Sequence, residues 1–296
     1  MKILISGSTG LIGSSIIPLL ESRRHHVYRL VRSKPDPGDI FWDPAENRLD
    51  AAHLEGFDAV IHLAGDPIAE GRWTEKKKAS IRDSRVKGTR LLSESLAKLS
   101  NPPKTLLCAS AVGYYGHRGE EQLDEESAGG SGFFADVGKA WEAAADPARG
   151  KGIRVVHLRF GIVLTRRGGA LKKMLLPFRL GLGGSFGTGR QYMSWIALED
   201  ALDAVYHSLM TQTLEGPVNI VSPLPMTNRD FSHTLGRELG LPVLFPIPAF
   251  VVRLLFGEMA DEALLASTRV EPRKLLYSGF KFRYSSLDSA LKSILN

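Results

Sequence analysis

Cysteine is almost missing from this chain: Cys108 is the single one among 296 residues. One thiol excludes an internal disulfide framework and a cysteine-built zinc cluster. Its place in the apolar run TLLCAS reads as a buried structural thiol. The histidines show no ligand spacing such as His-x-x-x-His, so no metal is expected. Long apolar runs are missing too. The segment FPIPAFVVRLLFG is too short to span a bilayer and is interrupted by Pro246, Pro248 and Arg253. No charged leader precedes the opening strand MKILIS, so a cytoplasmic or organelle-matrix setting is the expectation. The net charge is +6, yet the densest basic stretch, TEKKKASIRDSRVKGTR, lacks interleaved aromatics and contains acids at helix-compatible spacing. It reads as a solvated helix face, and no nucleic-acid partner is expected.

What is present is an ordinary globular composition with a strong alternation of elements. KILIS, HVYRLV, DIFW, DAVIHLAG, KTLLCAS and IRVVHLRF read as strands, and segments 11–23, 75–99 and 134–149 as the helices between them. Near-continuous apolar strands alternating with helices predict an α/β fold, a doubly wound parallel sheet of Rossmann type with helices on both faces. After about residue 165 the chain becomes glycine-rich and basic. The expected organisation is a nucleotide-binding core over 1–164. Residues 165–296 would complete that core and form a smaller C-terminal substrate lobe closing over the sheet's carboxyl edge. Helices are expected over EDALDAVYHSLM, over TNRDFSHTLGREL with Thr227 or Asn228 as N-cap, and over the final segment with Ser285 or Ser286 as cap.

KILISGSTGLIG sets a strand, then Gly7, Gly10 and Gly13, then a helix. The glycines serve a tight turn, close backbone approach to a pyrophosphate and close helix–sheet contact. The helix N-terminus offers free N–H groups and a positive dipole end. Gly7, Thr9, Gly10, Leu11, Ile12 and Gly13 are therefore candidate dinucleotide contacts. The next strand carries no terminal acid to bind a ribose 2′-hydroxyl; it ends in Arg32, Ser33 and Lys34, with no acid before Asp36. An arginine there suits a 2′-phosphate, so the expected cofactor is NADP(H).

Taken with HLAG at 62–65, SAVGYYG at 110–116 and Lys139, the motif GSTGLIG resembles the extended short-chain dehydrogenase/reductase and sugar-nucleotide epimerase superfamily. MLLPFRLGLGGSFGTGRQYMSWI and VNIVSPLPMTN are similar to an atypical branch of the NAD(P)-dependent epimerase/dehydratase superfamily. That branch is called simply "epimerase family protein", and one of its names is tied to plastid and cyanobacterial division. The resemblance covers essentially the whole chain. It implies that Leu63, Ala64 and Gly65 line the nicotinamide-side ribose and pyrophosphate, and that Arg85 and Arg159 approach the cofactor. It further implies hydride transfer with a Ser, Tyr and Lys, the Tyr and Lys four apart on one helix face. Ser110 matches the serine and Lys139 the lysine, which would hold the nicotinamide ribose.

The tyrosine is missing, because its position is Ala135. Three alternatives follow: Tyr114 or Tyr115 substitutes as the acid/base, substrate or water manages its own proton, or the site has ceased to catalyse. An NADP-dependent oxidoreductase or epimerase-like enzyme is one expectation, and a weakly active or inactive NADP-binding regulatory protein, linked to cell division or an organelle, is the other. The candidate substrate segment is RLGLGGSFGTGRQYMSWI, where Arg179, Arg190, Gln191, Tyr192 and Trp195 are placed to grip a ligand. Its two arginines favour an anionic small molecule. His62 reads as a core histidine and Asp200 as a structural acid at a helix start. By analogy with the superfamily, a homodimer would pair through helices 75–99 and 134–149.

Overall fold

In the computed structural model, residues 1–33 and 35–296 are described, and Lys34 lies outside them. By internal contacts the chain divides into two compact units. One comprises Met1–Ser110, Val137–Leu158 and Val205–Val218; the other comprises Ala111–Asp136, Arg159–Ala204 and Asn219–Asn296.

The first unit is organised on a sheet. Its strands are β1 (Lys2–Ser6), β2 (His26–Val31), β3 (Ile40–Asp43), β4 (Arg48–Leu49), β5 (Ala59–His62) and β6 (Thr105–Ala111). Strands Arg154–Phe160 and Gly216–Ile220 extend the edge beyond β6, giving eight strands among the described residues. β6, β5, β1, β2 and β3 pair in parallel, and the short β4 pairs antiparallel with β3. Ile3, Leu4, Ile5, Val60 and Ile61 are all fully buried, as strands covered on both faces must be. Each such side chain contributes about 1.5–3 kcal/mol by leaving water.

The expected α/β fold is therefore observed. From β1 the chain adds β2 and β3 on one side, then returns to add β5 and β6 on the other. This reversal between β1 and β5 is where such sheets open a crevice at their carboxyl edge. Helix α1 (Leu11–Ser22) follows β1, and α2 (Glu75–Ala97) follows β5. The Thr74 hydroxyl caps α2 by accepting from Lys77 N at 3.2 Å. α2 buries Ile81, Gly88, Leu91, Leu92, Ser95 and Leu96, a stripe at helical spacing. Leu92 and Leu96 join Leu4, Trp42, Leu106 and Ile153 in one core cluster.

One helix was expected over 134–149. The structure instead has α3 (Phe133–Ala143) and a short α4 (Asp146–Gly150). Pro147 sits in the first turn of α4, where its missing N–H is tolerated, but it cannot continue α3.

The second unit is built around Trp195, Phe231, Leu171, Leu287 and Leu291, all essentially buried. Thr227 caps the helix Asn228–Glu238, accepting from Asp230 N at 3.1 Å, and Ser286 caps the final helix Leu287–Leu295. The buried Asp200 carboxylate accepts from Arg283 N at 2.7 Å and Tyr284 N at 3.0 Å, fixing the entry to that last helix.

Candidate functional site

Ser6 ends β1, His62 ends β5, and the two are partners in register. Gly7 follows with φ +70, and a Cβ there would lie 2.7 Å from the Leu63 carbonyl and 2.8 Å from Ala64 N. Only glycine fits that approach. A Cβ on Gly13 would overlap the Gly7 carbonyl oxygen, so α1 presses directly onto the turn. Gly10 is the N-cap of α1, no side chain caps this end, and the first turn holds no acid. The result is a helix N-terminus with its positive end uncompensated, above a backbone cradle that side chains would close. A pyrophosphate fits both features.

A buried polar chain braces this cradle. His62 Nδ1 lies 2.6 Å from Ser6 Oγ, and its Nε2 lies 3.0 Å from Thr89 Oγ1. Trp141 Nε1 on α3 donates to the same Thr89 oxygen at 3.0 Å. Ser6 Oγ in turn accepts from Leu63 N at 3.2 Å and Ala64 N at 3.4 Å. Burial pushes the imidazole of His62 down to about 4, so it works as a neutral hydrogen-bonding post.

At the end of β2, Arg32 and Ser33 are exposed. Asp36, the first acid beyond them, is paired with Arg29 at 2.7 Å, and Asp39 binds the same guanidinium. These two acids are thus tied back to β2, and Arg32 stands exposed at the strand's end. Arg85 on α2 donates from Nη1 to the Asp66 and Ile81 carbonyls at 3.0 Å each, and lies 5.0 Å from the centre of the Trp141 ring. Its guanidinium is 3.3 Å from where a Cβ on Gly65 would sit, and burial lowers its pKa to about 10. Arg85 therefore clamps the Gly65–Asp66 loop, whose Asp66 also pairs with Lys77 at 2.8 Å.

Ser110, at the end of β6, is buried and donates from Oγ to Glu142 Oε1 at 2.7 Å. Glu142 went unnoticed in the sequence. Its signal was its spacing, three residues beyond Lys139 and seven beyond Ala135 on α3, which puts all three on one helix face. Lys139 is exposed on that helix, and Ala135 is fully buried.

The two tyrosines follow in a tight turn, Val112–Tyr115. Tyr115 is fully buried. Its hydroxyl lies 2.8 Å from both Asp124 O and Asn219 Oδ1, and accepts from Arg159 Nη1 at 2.9 Å. Burial pushes its phenol up to about 12, away from proton exchange near neutrality. Tyr114 is half-buried, with the Arg159 guanidinium stacked 3.6 Å from its ring centre. Of the substrate-segment residues, Trp195 is fully buried and donates to Leu224 O at 3.0 Å. Gln191 is buried and donates to Phe186 O and Leu264 O, each at 3.1 Å. Arg179 and Arg190 are exposed, and Tyr192 is half-buried with its ring 5.0 Å from Arg269. Positive φ at Gly181, Gly187 and Gly189 shapes the loop between them.

Comparison with known proteins gives a consistent picture. Residues 3–220 match the NAD dependent epimerase/dehydratase family, and residues 247–294 match a domain of unknown function. The chain is 41% identical to epimerase family protein Mb2239 of Mycobacterium bovis, covering 98% of this chain and 96% of the relative. It is 39% identical to epimerase family protein SDR39U1 of Homo sapiens, covering 100% of both chains. The crystal structure of human SDR39U1 (isoform 2) with NADPH superposes with a TM-score of 0.91 at 38% identity, over 99% of each chain.

Proposed function

Because the chain belongs to the NAD dependent epimerase/dehydratase family, we propose that it is an NADP(H)-dependent oxidoreductase or epimerase-like enzyme acting on a small molecule. The observation that carries this reading is the cradle at Gly7 and Gly13 beneath the uncapped N-terminus of α1. The relative solved with NADPH, which matches nearly the full length, supports the same cofactor.

In this reading Gly7, Thr9, Gly10, Leu11, Ile12 and Gly13 hold the pyrophosphate, while Arg32 and Ser33 receive the 2′-phosphate. Leu63, Ala64 and Gly65 line the ribose beyond it, and Arg85 keeps their loop in place. Lys139 binds the nicotinamide ribose, and Arg159 serves the same end of the cofactor. When bound, the nicotinamide supplies or accepts the hydride that an alcohol–carbonyl exchange requires. Ser110 faces the reacting oxygen. Between the two tyrosines, the stacked and less buried Tyr114 is the better placed for a catalytic part, and Tyr115 is structural. Arg179, Arg190 and Tyr192 serve an anionic substrate, while Gln191 and Trp195 shape the segment that carries them.

Among the described residues no helix is long and apolar enough to cross a membrane. Residence in the cytoplasm or an organelle matrix, and pairing of two copies through the long helices, belong to the same proposal. The test is a panel of carbonyl compounds and sugar nucleotides, scored by NADPH oxidation, with Lys139→Ala as control. Turnover that Lys139→Ala abolishes is the expected result.

The fully buried Ala135 favours a second reading, an NADP(H)-binding regulatory protein without efficient catalysis. Tight NADPH binding with no turnover across the panel would select it.

A further inference from the structure

Ala135 cannot exchange a proton, Tyr115 is held by three partners, and Tyr114, its ring stacked on Arg159, is assigned substrate contact and not the proton, so the path of the reacting proton is open. Ser110 does not offer its hydroxyl proton freely, because that proton is directed at Glu142 Oε1, 2.7 Å away. The serine oxygen is left to accept. The Glu142 carboxylate accepts that hydrogen bond from a half-buried position on α3. A carboxylate there can also receive a proton. The neighbouring thiol of Cys108 cannot take that part, since burial pushes it up to about 12 and Glu142's charge adds to the effect.

We propose that Ser110 and Glu142 form a proton relay that replaces the missing phenol. The inference rests on the enzymatic reading above. In the oxidative direction an alcohol substrate gives its hydroxyl proton to Ser110 Oγ, and Ser110 gives its own proton to Glu142 Oε1. The substrate's C–H bond breaks, its electron pair and hydrogen leaving as hydride to an oxidised nicotinamide, and the C–O bond becomes a carbonyl. Glu142 ends as the carboxylic acid and returns the proton to water. Reduction runs through the same atoms in reverse. Ser110 touches the substrate and is the catalytic residue; Glu142 acts through it and is a positioning residue. Lys139, one turn before Glu142 on the same face, places the ribose beside this pair.

The experiment uses the NADPH-loaded protein with 9,10-phenanthrenequinone as the carbonyl probe. Glu142→Gln, which keeps shape and hydrogen-bond acceptor, should lower kcat about 100-fold. KM for the probe, and NADPH affinity read from tryptophan fluorescence, should stay within about twofold of wild type. Glu142→Asp should recover a large part of the lost kcat. Ser110→Ala should cost as much as Glu142→Gln, and the double variant should be no worse than either, as for groups acting as a unit. Wild-type kcat in Glu142→Gln overturns the relay and leaves the enzymatic reading standing. Parallel losses of kcat, NADPH affinity and melting temperature in both Gln and Asp variants overturn it in favour of a structural contact. Absence of wild-type turnover despite NADPH binding overturns the enzymatic reading and the relay together.

Discussion

His62 Nδ1 and Ser6 Oγ lie 2.6 Å apart in the interior, joining the carboxyl ends of two adjacent parallel strands. Through Ser6 this contact reaches the backbone of Leu63 and Ala64, and through Thr89 it reaches Trp141 on the helix that carries Lys139. A neutral imidazole is thus the joint between the turn at Gly7 and helix α3.

That joint has a pH signature. His62 falls from 6.5 in the unfolded chain to about 4 in the fold. Between those values the unfolded chain binds a proton that the folded one refuses. His62's contribution is therefore complete above the unfolded pKa and is lost as pH falls through the window, by about 3 kcal/mol in all. In urea unfolding, the stability lost between about pH 7 and about pH 5 should be about 2 kcal/mol smaller in His62→Gln than in wild type. Equal losses would show that His62 titrates normally in the fold.

Two glycines should respond oppositely to the same change. Gly13→Ala drives a methyl group into the Gly7 carbonyl, and should cost about 1–3 kcal/mol together with most of the NADPH affinity. Gly150, in α4, has nothing within 4 Å of the added carbon. Gly150→Ala should be neutral or stabilising by up to about 1 kcal/mol, from helix propensity. Thermal melts and NADPH titrations of both variants check this. A well-behaved Gly13→Ala would refute the close helix approach.

Cofactor choice should reside in one charge at the end of β2. Wild type should prefer NADPH to NADH, and Arg32→Glu should weaken NADPH by about 10- to 100-fold, the value of a charge-assisted contact of about 1.5–3 kcal/mol. NADH affinity should change much less, so the preference disappears. Equal wild-type affinities for the two dinucleotides would end the argument from Arg32.

The two adjacent tyrosines should separate in stability. Tyr115→Phe leaves Asn219 Oδ1 and Arg159 Nη1 without the hydroxyl they share. It should cost about 1–3 kcal/mol, seen as a fall of several degrees in Tm. Tyr114→Phe keeps the ring beneath Arg159 and should leave Tm nearly unchanged. The reverse order in differential scanning calorimetry would exchange the roles assigned to the two phenols.

Much of the fold could be read directly from residue order. Short apolar runs such as KILIS and AVIH read as strands covered on both faces, and Gly7, Gly10 and Gly13 after the first of them read as a turn into a helix. Thr227 and Ser286 announce their helices because a hydroxyl at an N-cap acts within a few residues of itself. The break between α3 and α4 is marked by Pro147, but the alanine run Ala143–Ala145 before it carries the helical pattern up to the proline and hides the break. Arg85 is expected from the resemblance to approach the cofactor; its hold on the Gly65–Asp66 loop, which residue order does not announce, is what the tertiary structure adds.

The sequence alone determined which chemistry is missing: no tyrosine four residues before Lys139, no acid at the end of β2 and one buried thiol. Those are facts of residue type at a spacing, and local geometry is enough to interpret them. Only the tertiary structure decided which polar groups work together. Ser110 and Glu142 are 32 residues apart, and Ser6 and His62 are 56 apart. Tyr115 and Asn219 are separated by 104. Their pairing follows from strand order and from burial. In water each of these groups would be satisfied by solvent. In the interior each must find a protein partner, and the fold chooses which one.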